Sequence, residues 1–120
     1  MNLSREQLVA AYDFVAKRYG IQGVANESAI DRALAFQREL HPEPHEQPAA
    51  LFYAFSRYPR CFPGAFRPMA ALIAKNSARH HGFELRASAE ELDRLLFAGT
   101  AQRASYEEIR DWFGRRLVPR

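Results

Sequence analysis

Between Arg60 and Leu72 the sequence reads RCFPGAFRPMAAL, a loop with a glycine and two arginines running into an expected helix that opens at Pro68. Backbone amides at a helix start and guanidinium forks beside them are the equipment that grips phosphate. Arg60 and Arg67 are thus candidate anion contacts, with the amides of Met69 and Ala70 expected free beside them. The rest of the equipment for group transfer is missing. No His, Asp or Glu occurs between Gln47 and Arg79, so the loop holds nothing that takes a proton or a divalent cation at neutral pH. A guanidinium with a pKa above about 12 is no general base. The bland reading of the same residues is two solvated loop arginines.

Other reactive side chains are weaker candidates. His80 and His81 close the expected fourth helix, about 18 Å from the loop at a rise of about 1.5 Å per residue, where complementarity to the helix dipole explains them. His41 and His45 have i,i+4 spacing, but Pro42 and Pro44 deny them a shared helical face and no third ligand is evident, so no metal site is expected. Cys61 adjoins Arg60, yet without a nearby His it reads as a small buried thiol. Glu43 and Glu46 read as solvated surface, with partner contact as the alternative.

Helical periodicity supplies the frame. Ser4 with Gln7 forms a capping box opening a helix over about Arg5 to Tyr19, which Gly20 ends. Asn26 caps a second, with Ile30, Ala33, Leu34 and Gln37 on one face, ending before His41-Pro42. A third spans roughly His45 to Arg57, and its AALFYAFSRY is apolar nearly all round, the mark of an enclosed helix. The fourth should run from Pro68 to Gly82 with Met69, Leu72 and Ile73 inward, and the stripe then arrives at Asn76, a core amide or the edge of a groove. Ser88 with Glu91 and Ser105 with Glu108 open two more helices, about Ala89 to Ala98 and Tyr106 to Leu117. FELRA after Gly82 is the only candidate strand.

With 120 residues and 48% hydrophobic content the chain forms one domain, residues 1–120, around one core. Lys and Arg number 17 against 14 Asp and Glu, a formal charge of +3 and well short of a concentrated basic face. Arg103, Arg110, Arg115 and Arg116 are the residues a nucleic-acid reading would use, but the charge balance is only mildly basic and that reading ranks last. One cysteine, no leader-like N-terminus and no apolar run of membrane-spanning length lead us to expect a cytoplasmic protein without membrane contact.

The order of these segments resembles the Fic/Doc (Fido) family, and within it the short death-on-curing branch of toxin-antitoxin pairs. LSREQLVAAYDFVAKRYG is similar to the family's opening helix, GVANESAIDRAL to the helix after it, AALFYAFSRY to the helix before the active loop, and SAEELDRLLFAGTAQRASYEEIRDWF to the closing pair. HHGFEL is similar to the turn that ends the family's central helix. The resemblance covers nearly the whole chain. It implies an all-α, Fic/Doc-like bundle of about six helices. It also implies that the loop between the third and fourth helices once followed H-x-F-x-(D/E)-(G/A)-N-K-R, in which the histidine takes a proton, the carboxylate holds magnesium, and the Asn, Lys and Arg grip phosphates.

Set against that motif, Arg60 stands at the histidine, Phe62 at the Phe, Gly64 at the carboxylate, Ala65 at the small residue, Phe66 at the Asn and Arg67 at the Lys, while Pro68 replaces the Arg. Base, metal ligand and polar anchor are lost together. The expectation is therefore a degenerate relative, a pseudoenzyme of phage, plasmid or toxin-antitoxin origin. It would need no cofactor or metal and would work by binding another protein, an antitoxin-like or a host or phage protein, through a surface including Arg60, Phe62, Gly64, Ala65, Phe66 and Arg67. The competing expectation is a divergent toxin moving a phosphoryl or nucleotidyl group to a protein hydroxyl, with its base supplied from outside the loop.

Overall fold

The computed structural model describes residues 3–120. Helix α1 (Arg5–Arg18) begins where Ser4 and Gln7 cap one another: the Ser4 hydroxyl accepts the Gln7 N–H and the Gln7 side chain accepts the Ser4 N–H. The Asn26 side chain accepts the Ala29 N–H at 3.1 Å and opens α2 (Glu27–Glu39). A 3-10 turn over Pro44–Glu46 precedes α3 (Gln47–Ser56), so the third helix starts two residues later than expected. A second proline-bearing turn, Pro59–Cys61, follows α3 and leads into α4 (Phe66–His80), with which α3 forms the central hairpin.

After Gly82, FEL does form a strand. β1 (Phe83–Leu85) pairs antiparallel with β2 (Leu117–Pro119), Glu84 opposite Val118. Between them lie α5 (Ala89–Thr100) and α6 (Tyr106–Gly114), each opened by the expected serine-glutamate capping box. Helix α6 ends at Gly114, three residues short of the expected Leu117, because that last segment is needed for the strand pair that pins the C-terminal segment to the end of α4. The architecture is an all-α bundle of six helices among the described residues, with this ribbon as its one sheet.

Helix α3 is buried along most of its length, as its all-round apolar sequence requires. It packs with α4 as the wall between two apolar clusters. Leu8, Tyr12, Ile30, Phe55, Phe62 and Met69 fill the side facing α1 and α2. Phe52, Ala74, Leu92, Leu96, Ile109 and Phe113 fill the side facing α5 and α6. Close approach of α3 to α5 depends on Gly99, where a Cβ would lie 2.6 Å from Ser56 Oγ and 2.9 Å from Ser56 Cβ. The hydroxyl of buried Ser56 already donates to the Tyr53 carbonyl at 2.6 Å, so it cannot yield cheaply. Gly99→Ala is expected to destabilise the chain by about 2 kcal/mol in urea unfolding, the size of an overpacking defect, and Ser56→Gly should recover part of it.

Candidate functional site

The arginine-glycine loop is tied down on both sides. The Tyr12 hydroxyl donates to the Pro63 carbonyl at 2.6 Å, and the Asn26 N–H donates to the Cys61 carbonyl at 3.0 Å, which fastens the loop to α1 and to the start of α2. Phe62 points into the core at 1% exposure, its ring 6.0 Å from Tyr12 and 5.4 Å from Phe55. Ala65 is also fully buried. Both therefore leave the expected contact surface, of which Arg60, Gly64, Phe66 and Arg67 still reach solvent.

The helix start differs from the expected one. Helix α4 opens at Phe66, which puts Pro68 at its third position, and the Met69 amide is spent on the Ala65 carbonyl at 3.0 Å. The anticipated free amide of Met69 does not exist. Because the third position carries no N–H, Phe66 and Arg67 hold the amides left at this end, and Ala65 contributes no side-chain cap.

Arg67 is exposed, yet its guanidinium donates to Asp93 on α5 at 2.6 Å, a hydrogen bond that raises its already high pKa further. Arg60 is solvated and, among the described residues, has no carboxylate within salt-bridge distance. Phe66 is half-buried and packs with the α5–α6 cluster. Its outer face forms one wall of a groove of about 520 Å³ that Pro59, Arg67, Leu96, Phe97 and Thr100 continue. Phe97 stands in solvent at 63% exposure, with Arg103 Cζ 5.8 Å from its ring centre.

Cys61 lies fully buried behind the loop, and burial pushes its thiol up to about 12 from an ordinary value of 9.0. Arg60 beside it in sequence does not activate it. Native protein is expected to resist thiol reagents and to react fully in denaturant. The folded pKa exceeds the unfolded one, so the associated stability is complete below about pH 9 and is lost as pH climbs toward 12. Cys61→Ala should flatten that part of an alkaline unfolding profile.

The remaining candidates stay apart from the loop. His80 and His81 stack edge to face at 5.4 Å at the far end of α4, and desolvation followed by His80 lowers the pKa of His81. They border a cleft of about 180 Å³ with Gln7, Gln37, Ser77 and Asn76. Asn76 is exposed on that cleft, so the apolar stripe of α4 turns to Ser77 and Asn76 marks a groove. His41 and His45 are both exposed on the connection before α3. Among the described residues no three His, Cys, Asp or Glu side chains gather as a ligand set. Of the four arginines a nucleic acid would use, Arg116 pairs with Glu91 and stacks over Trp112 at 4.3 Å, while Arg110 faces Glu46 and Asp111.

Asp93 beside Arg67 was not foreseeable from local pattern, since 26 residues separate them. Phe97 was readable: it is an aromatic on α5 off the face formed by Leu92 and Leu96. No helix is long and apolar enough to cross a membrane among the described residues. No protein-family model matches the chain, and no curated protein matches it significantly.

Proposed function

We propose that the chain is a catalytically degenerate Fic/Doc-like protein that acts by binding another protein. The observation that carries this reading is the loop between α3 and α4. Its solvent-facing residues are Arg60, Pro63, Gly64, Phe66 and Arg67, and none of them takes a proton or holds magnesium. The side chains behind them, Cys61 and Phe62, are sealed in the core. Phosphoryl or nucleotidyl transfer needs a positioned nucleophile with its base, and neutralised phosphate charge, at one place. This tethered, filled loop offers cations but neither a base nor a metal ligand, whereas an aromatic and exposed cations on a rigid frame suit protein contact.

The test is label transfer. Purified chain incubated with magnesium and ATP labelled at the α or γ phosphate is expected to label no protein in cell extract beyond those that the extract labels without it. Calorimetry with ATP or GTP at about 1 mM should give no heat, and labelled protein that depends on the added chain would overturn the reading.

One observation favours a second reading, a divergent transferase. Asp93 brings to Arg67 the carboxylate that the loop lacks, at 2.6 Å. In that case Asp93→Asn should abolish a transfer that the parent chain performs, and a parent chain without transfer removes the reading.

A further inference from the structure

The groove beside the loop has a chemistry that specifies its occupant, and the inference rests on the protein-binding reading above. Its floor is apolar, formed by Phe66, Leu96 and the exposed ring of Phe97. A single soluble chain seldom leaves a ring as open as Phe97 beside a hollow of this size without a use for it. Along α5 the groove touches positions 93, 96, 97 and 100, the i, i+3, i+4, i+7 series. These span about 10 Å at about 1.5 Å per residue, the reach of two helical turns laid alongside.

The net charge at the rim is positive. Arg67 and Asp93 cancel each other as a pair. Arg94 lines the groove and Arg103 lies over Phe97, and among the described residues neither has a carboxylate within salt-bridge distance. Arg60 follows Pro59 at the loop end with no carboxylate partner of its own. The uncapped start of α4 adds partial positive charge at the same edge. A partner with basic residues around its apolar face would be repelled, and one with carboxylates would find unpaired guanidinium groups.

We propose that this groove docks an amphipathic acidic segment of another protein, its apolar residues on Phe66 and Phe97 and its carboxylates on Arg94 and Arg103. The probes are two peptides of about twelve residues with Leu and Phe at i, i+3, i+4 and i+7, one carrying Glu and the other Lys at the remaining positions. Titration of the isotope-labelled full chain by NMR reads both affinity and place. The Glu peptide is expected to bind saturably, to shift the amides of Phe66, Phe97 and Thr100, and to weaken with added salt. The Lys peptide should bind at least about tenfold more weakly.

Phe97→Ser and Arg94→Glu, both on exposed side chains, should each reduce binding of the Glu peptide by at least about tenfold while leaving the rest of the spectrum unchanged. Equal binding of the two peptides, no binding of the Glu peptide up to about 1 mM, or shifts confined to another face would overturn the proposal. Those outcomes leave the protein-binding reading intact on some other surface. Label transfer from ATP would overturn that reading, whatever the groove does.

Discussion

Phe62→Ala is expected to destabilise the chain by about 3–5 kcal/mol, the range found when a buried aromatic is truncated in a core that relaxes only partly. Phe62 is the loop aromatic that is wholly enclosed, with Tyr12 and Phe55 within aromatic contact of its ring. It also lies between the two hydrogen bonds that fasten the loop, from Asn26 to the Cys61 carbonyl and from Tyr12 to the Pro63 carbonyl. Its removal opens a cavity at the junction of α1, α3 and the loop together. Phe66→Ala should cost less, about 1–2 kcal/mol, since that ring is only partly buried. Urea unfolding of both variants measures the contrast. A Phe62→Ala loss below about 1 kcal/mol would mean that the loop is loosely seated and open to ligands, which would undercut its reading as a sealed relic.

The parts of this arrangement that were legible in the sequence are those set by local rules. Capping boxes at Ser4, Ser88 and Ser105 fixed three helix starts, because a hydroxyl and a carboxamide or carboxylate three residues apart satisfy each other's amides without help from the fold. The enclosed character of α3 followed from its composition. What escaped depends on distant chain. Pro68 read as a first helical position, but the Ala65 carbonyl accepts the Met69 amide and draws Phe66 and Arg67 into the helix ahead of it. The end of α6 was misplaced because Leu117 to Pro119 find partners on β1, 34 residues away in the Glu84 and Val118 pair. At the candidate site the absence of a histidine or carboxylate from the loop was plain from residue types alone. The engagement of Arg67 by Asp93, and the groove that Phe97 completes, required α5 to be laid beside the loop.

A carboxylate introduced into the loop tests the reading proposed for it. The family motif that the loop resembles has an acid where Gly64 stands, so Gly64→Asp is the substitution that supplies one. Gly64 adopts φ +74°, where an L side chain costs about 1–2 kcal/mol, and a Cβ there would stand 2.8 Å from Ile21 Cγ2. That methyl sits on a stiff β-branched side chain packed against the core, so relief needs movement of the segment after α1. The two effects together predict a loss of about 3 kcal/mol for Gly64→Asp, and nearly as much for Gly64→Ala, since the obstruction begins at Cβ and owes little to charge. Combined with Ile21→Ala, Gly64→Ala should cost at least about 1 kcal/mol less than the sum of the single changes. Neither Gly64 variant should acquire magnesium-dependent nucleotide binding, because Phe66 and Pro68 still stand where phosphate-holding side chains would be needed. If Gly64→Asp were instead tolerated and bound magnesium with ATP, one side chain would separate this loop from a working cradle, and degeneration would be the wrong description of its chemistry.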